Sequence, residues 1–140
     1  MNPDPKTRVA VFLHAGDYDR LHQGCAIAAA AAAAGRDVQL FFFWWALERL
    51  LSGDLARPSF EAGPDPAVAA AEDAFDRGYP TAAALLEAAR GTGHLVVYAC
   101  SASAGLLGKR PDAIAGVVDQ VVGWSTILAV TEGVVDRFYL

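Results

Sequence analysis

Residues 8–43, RVAVFLHAGDYDRLHQGCAIAAAAAAAGRDVQLFFF, hold a strand, a turn, a helix and a second strand in immediate succession. Residues 8–14 form an apolar run rich in β-branched and aromatic side chains, and Ala15-Gly16-Asp17 ends it, which predicts a buried strand followed by a turn. Strong helix formers fill residues 18–34, with Leu21, Cys25, Ala28 and Ala32 on one stripe. Asp17 is placed to cap the start of this helix, and Gly35 stands where a left-handed C-terminal residue is expected. Residues 37–43, DVQLFFF, predict a second strand. Neither strand alternates cleanly between apolar and polar residues, as expected of parallel strands covered on both faces.

The same alternation continues outward. Residues 44–51 predict a helix with Glu48 and Arg49 towards solvent. Residues 52–66 are interrupted by Gly53, Pro58, Gly63, Pro64 and Pro66 and read as a long loop, either a lid or an ordinary surface crossing. Asp65 and Pro66 read as the cap and first turn of a helix running to about Arg77, ended by Gly78, and residues 80–90 form another, stopped at Gly91. Residues 94–99, HLVVYA, predict the third strand, with Cys100 at its C-terminal end. Residues 101–108 are small and helix-compatible, and a short helix is expected near residues 112–118. A brief strand at 120–123, a helix at 125–132 closed by Gly133, and a terminal strand at 134–139 complete the pattern. Five strands separated by helices predict an α/β fold: a three-layer sandwich around a five-stranded, mostly parallel sheet, in a single domain over residues 1–140.

Composition agrees with this. The chain has 140 residues, of which 54% are hydrophobic and 19% charged, with a mean hydropathy of +0.29, which excludes disorder and a two-domain enzyme. About a fifth of the residues are alanine, which favours closely packed helices, and the remaining apolar surplus points to a subunit interface. The net charge of −5 comes with scattered basic residues, so nucleic acid is not an expected partner. The N-terminal residues lack an apolar signal segment, and the longest apolar run, residues 25–34, falls short of the ~20 residues of a membrane span. A cytoplasmic protein without an integral membrane segment is expected. In that compartment the two cysteines are not presumed to pair.

In a parallel α/β sheet, ligands gather at the carboxyl ends of the strands. That rim should hold His14, the Phe43-Trp44-Trp45 segment, Cys100 with Ser101, and Trp124 with Ser125. Cys100 reads either as a reactive thiol, favoured as thiolate by the start of the following helix, or as a small residue packed at a strand end. Cys25 lies about two turns into the first helix on the sheet-facing stripe and reads as core, so a Cys25–Cys100 disulfide is not expected. His14 reads either as an orienting or proton-accepting group at the rim or as a hydrogen-bonded structural residue, whereas His22 and His94 lie away from it. Trp44 and Trp45 could wall a pocket or a subunit contact. No metal is expected, because no cluster has zinc-ligand spacing, and no nucleotide or other cofactor, because no GxGxxG or GK[ST] segment occurs.

Read together, three blocks resemble the DsrE/DsrF-like superfamily, and in particular its DsrE2-like, peroxiredoxin-like branch. They are VAVFLHAGDYDRLHQGCAIAAAAAAAGRDVQLFFFWWAL (9–47), VVYACSASAGLLG (96–108) and VVGWSTILAVTEGVVDRFYL (121–140), about two-thirds of the chain. The second block is similar to the family's strand followed by A-C-x-x-S and a glycine-ended short helix. The chain departs from the family in Phe42-Phe43-Trp44-Trp45-Ala46, where a threonine and a glycine are usual, and in the shortness of the loop before Pro66. The resemblance implies a five-stranded α/β sandwich, a homo-oligomer with a trimer or hexamer favoured, and a sulfur relay in which Cys100 carries a persulfide. Ser103 and Gly108 match the motif's serine and glycine.

Two functional expectations follow. The first is a sulfur carrier or sulfurtransferase-like protein that accepts sulfur on Cys100 from a donor protein and passes it to an acceptor, with His14, Trp44, Ser101, Ser103 and Trp124 around it. The second is a non-catalytic oligomeric module that binds a small ligand between His14, Trp44, Cys100 and Trp124. Phosphoacceptor receivers and flavodoxin-like carriers share the alternation of elements, but the third strand here ends in Cys100 rather than an aspartate.

Overall fold

The computed structural model describes residues 4–61 and 63–140. Its sheet contains β1 (Val9–Leu13), β2 (Val38–Phe42), β3 (Leu95–Cys100), β4 (Gln120–Val122) and β5 (Asp136–Tyr139) in the order β4-β3-β2-β1-β5. All pairings are parallel, in keeping with the expected α/β sandwich; β5 lies along β1 with Val9 opposite Asp136 and Phe12 opposite Tyr139. The connections are α1 (Tyr18–Ala33), α2 (Trp44–Leu51), α3 (Asp65–Asp76), α4 (Ala82–Gly91), α5 (Ser101–Leu106), α6 (Pro111–Ile114) and α7 (Trp124–Val130). None of these helices is long and apolar enough to cross a membrane.

Successive strand residues point to opposite faces, which divides the core in two. On one face, Val9, Val11 and Leu13 of β1, Val38, Leu40 and Phe42 of β2, and Val97 and Ala99 of β3 pack beneath α1, α2 and α4. The stripe expected on α1, Leu21, Cys25, Ala28 and Ala32, faces this layer. Leu13, Leu21, Leu40 and Leu47 are completely buried there, and each such side chain contributes about 1.5–3 kcal/mol of transfer free energy. Small residues bring α1 close to the sheet: a methyl group on Gly24, in mid-helix, would collide with Leu13. On the other face, Ala10, Phe12, Phe41, Tyr98 and Cys100 pack with Val122, Ile127 of α7 and Val134. Gln39, the one polar residue of β2, is also buried on this side. Its side-chain amide and Arg8 both donate to the Val130 carbonyl, which fixes the end of α7 to the sheet.

Several boundaries differ from the expected ones for local reasons. Asp17 occupies the cap position of α1 but makes no side-chain cap bond, and α3 begins at Asp65 itself after a cap at Pro64. The helix expected over residues 112–118 is the single turn α6, ended before Gly116, whose φ of 83° leaves the right-handed helical region. β5 starts at Asp136 rather than at 134 because the Val134 amide turns back to the Thr131 carbonyl.

The segment at residues 52–66 is anchored along part of its length. A 3₁₀ turn at Asp54–Ala56 buries Leu55, and Ser52 and Arg57 hydrogen bonds hold the Asp54 carboxyl below its usual range. The Tyr18 hydroxyl donates to the Leu55 carbonyl at 2.9 Å and accepts from the Ala82 amide at 3.0 Å. One buried phenol thus ties the loop and the start of α4 to α1, while Phe60 and Phe75 meet its ring edge-on. The described residues of this segment lie apart from Cys100, and Ser59, Phe60, Glu61 and Gly63 line a separate cavity against the start of α1.

Candidate functional site

The C-terminal ends of β1, β2 and β3 open into a cavity of about 480 Å³. Phe12, Phe43 and Cys100 come from the strands and their ends, Trp44 begins α2, Trp124 begins α7, and Leu106 belongs to α5. His14, Arg20, Ser103 and the Tyr139 phenol supply polar groups. A volume of this size lies in the range of small-molecule pockets.

The register explains the aromatic wall. Tyr139, Phe12, Phe41 and Tyr98 are directly opposed on β5, β1, β2 and β3. Their rings stack in sequence at centroid separations of 4.6, 5.0 and 4.6 Å. Such cross-strand pairs add to sheet stability beyond simple burial. Phe43 continues the stack to Trp124 at 5.1 Å. At the rim, Trp44 has φ +44°, a left-handed conformation costly for a residue with a bulky side chain. The backbone strain coincides with the step from β2 into the cavity wall.

The sheet separates the two thiols. Cys25 is completely buried among α1 and α4 residues, and burial pushes its pKa up to about 12. Cys100 belongs to the cluster on the opposite face, is 3% exposed and lines the cavity. Both are free, and the intervening strands preclude a disulfide between them. The helix following Cys100 is only six residues long, shorter than the segment to Gly108 expected from sequence, so little can be assigned to its dipole.

Of the residues expected at the site, His14, Trp44, Ser103 and Trp124 join Cys100 around the cavity. Ser101 does not: it is exposed and its hydroxyl lies beside Gly123, in the turn before α7. Trp45 is also excluded and projects to solvent. His22 bonds the Pro80 carbonyl and His94 bonds Asp37, both away from the rim. Sequence reasoning missed Arg20. The rule that selected strand ends also applies to the first turn of the following helix, where Arg20 lies on α1. Phe12, Leu106 and Tyr139 were missed as well, because their approach depends on strand order and helix direction.

A second cavity, about 600 Å³, lies between the start of α1, Phe60 and α3. It is larger but contains no thiol; Asp17, Asp19, Arg20, Arg49 and Glu61 give it mixed charge. Among the described residues no group of three or more His, Cys, Asp and Glu side chains is arranged to hold a metal ion.

Compared with known protein families and with curated proteins, the chain matches none. Chemically, the smaller cavity presents one potential nucleophile, one formal cation, an imidazole and a buried hydroxyl within aromatic walls.

Proposed function

We propose that the protein is a sulfur carrier of the DsrE/DsrF-like kind, holding a persulfide on Cys100. The carrying observation is that Cys100 borders a ligand-sized cavity at the carboxyl end of a parallel sheet, while the other thiol is sealed on the opposite face. In the loading step the Cys100 thiolate attacks the terminal sulfur of a donor persulfide. The donor S–S bond breaks, its thiolate leaves, and a new S–S bond forms at Cys100. An acceptor thiolate then attacks that terminal sulfur and releases the Cys100 thiolate. The sulfane sulfur changes carrier, its proton travels with it or exchanges with water, and no external oxidant or reductant is consumed. The chemistry suits a reducing, cytoplasmic setting. Exposed Leu106, Trp124 and Tyr139 at the cavity, together with exposed Leu128 on α7, support a homo-oligomer, for which a trimer or hexamer is the proposed state.

Intact-mass measurement after incubation with a small persulfide donor tests this. Wild type and Cys25→Ser should gain one sulfur, and Cys100→Ser none. No gain by wild type, or an equal gain by Cys100→Ser, rejects the carrier reading.

The 3% exposure of Cys100 favours a second reading, a non-catalytic module whose thiol is one wall of a binding pocket. Under that reading wild type gains no sulfur, and Cys100 alkylates no faster than a small reference thiol.

A further inference from the structure

We infer that the cavity beside Cys100 selects small anionic ligands, with Arg20 as the residue that determines this preference. The inference rests on the carrier reading for its chemistry and names the class of donor or acceptor: a low-molecular-weight thiol or persulfide with an apolar body and an anionic group such as a carboxylate.

Three observations converge. Cys100 is 3% exposed, so a reacting sulfur must reach it through the cavity. Among the described residues Arg20 is the only Asp, Glu, Lys or Arg side chain lining the cavity, and the main-chain oxygen of Leu140, which also lines it, is taken up by the His14 and Ala15 amides. Every other arginine is engaged: Arg8 and Arg137 donate to backbone carbonyls, and Arg36, Arg49, Arg57, Arg77, Arg90 and Arg110 are ion-paired. Arg20 has no hydrogen bond or ion pair among the described residues. Asp17, Asp19 and Glu61, which share the neighbouring cavity with it, are not paired to it. Independently, Ser103 borders the same cavity, and its hydroxyl, which makes no hydrogen bond among the described residues, is open to it and available to a polar ligand group.

An unpaired guanidinium on the cavity wall gives an anionic group its electrostatic partner and leaves the apolar body to Phe12, Phe43 and Trp124. Arg20 is exposed, so the attraction is that of a solvated pair, a rate or affinity factor of roughly twofold to fivefold.

Two near-isosteric probes of different charge, iodoacetate and iodoacetamide, measure this selectivity on the full chain by alkylation of Cys100. Both reagents attack the same thiolate, so their rate ratio cancels its intrinsic nucleophilicity. The iodoacetate-to-iodoacetamide ratio should exceed that of a small neutral reference thiol by roughly twofold to fivefold at low salt. It should fall to the reference value in Arg20→Gln and be largely retained in Arg20→Lys, with circular dichroism confirming that the variants are folded. A wild-type ratio equal to the reference, a ratio unaffected by Arg20→Gln, or no alkylation by either reagent overturns the inference. Sulfur uptake from a neutral persulfide is the separate arm: its loss rejects the carrier reading, whereas a normal uptake with an unselective ratio rejects only the anion preference.

Discussion

Cys25 and Cys100 are the same residue type put to opposite uses by their surroundings. The folded state holds the Cys25 proton up to about pH 12, whereas an unfolded chain releases it near ~8.5. The folded pKa is the raised one, so this contribution to stability is complete below the unfolded pKa and is lost as pH rises towards 12, at about 1 kcal/mol per pH unit. Tyr18 and Tyr98, also raised by burial, add to the alkaline loss in any variant that retains them. Denaturant titrations at pH 9 and 10 should therefore show wild type losing about 1 kcal/mol more than Cys25→Ala over that interval. Equal pH slopes would show that Cys25 ionises normally. Trp44 gives a second residue-scale expectation. Its positive φ penalises any side chain but not glycine, so Trp44→Gly should be about 1 kcal/mol more stable to urea than Trp44→Ala. Equal stability of the two would contradict the left-handed backbone.

At the scale of elements, the hydroxyl of Tyr18 joins three segments that are far apart in sequence. Removing it in Tyr18→Phe leaves the Leu55 carbonyl and the Ala82 amide without their partner, at a cost of about 1–3 kcal/mol in equilibrium unfolding. A loss below about 0.5 kcal/mol would mean that water or a shifted backbone replaces the bond. This contact was illegible in sequence, because Tyr18 stands at a helix start like many solvent-facing residues. The elements themselves were legible: α1 announces itself by its alanine stripe and Gly35, and β1, β2 and β3 by continuous apolar runs. The weaker segments near α6 and β5 were misbounded because a turn hydrogen bond or a glycine, not periodicity, sets their ends.

For the whole molecule, alternating strands and helices carried enough information to anticipate an α/β parallel sheet and the rim on which Cys100 sits. The strand order was not local information. It alone brings Tyr139 of the terminal strand beside Phe12 and Cys100 onto the face opposite Cys25. For the same reason Arg20 went unnoticed, and Ser101, adjacent to Cys100 in sequence, proved to lie outside the cavity. The functional account consequently depends on one spatial fact, a single thiol bordering a cavity of about 480 Å³. Peptide mapping of sulfur after brief exposure of the folded chain to a persulfide donor, with free thiols trapped, tests it most directly. The account predicts the added sulfur on the peptide containing Cys100 and none on the peptide containing Cys25; sulfur on neither peptide, or equally on both, would contradict it.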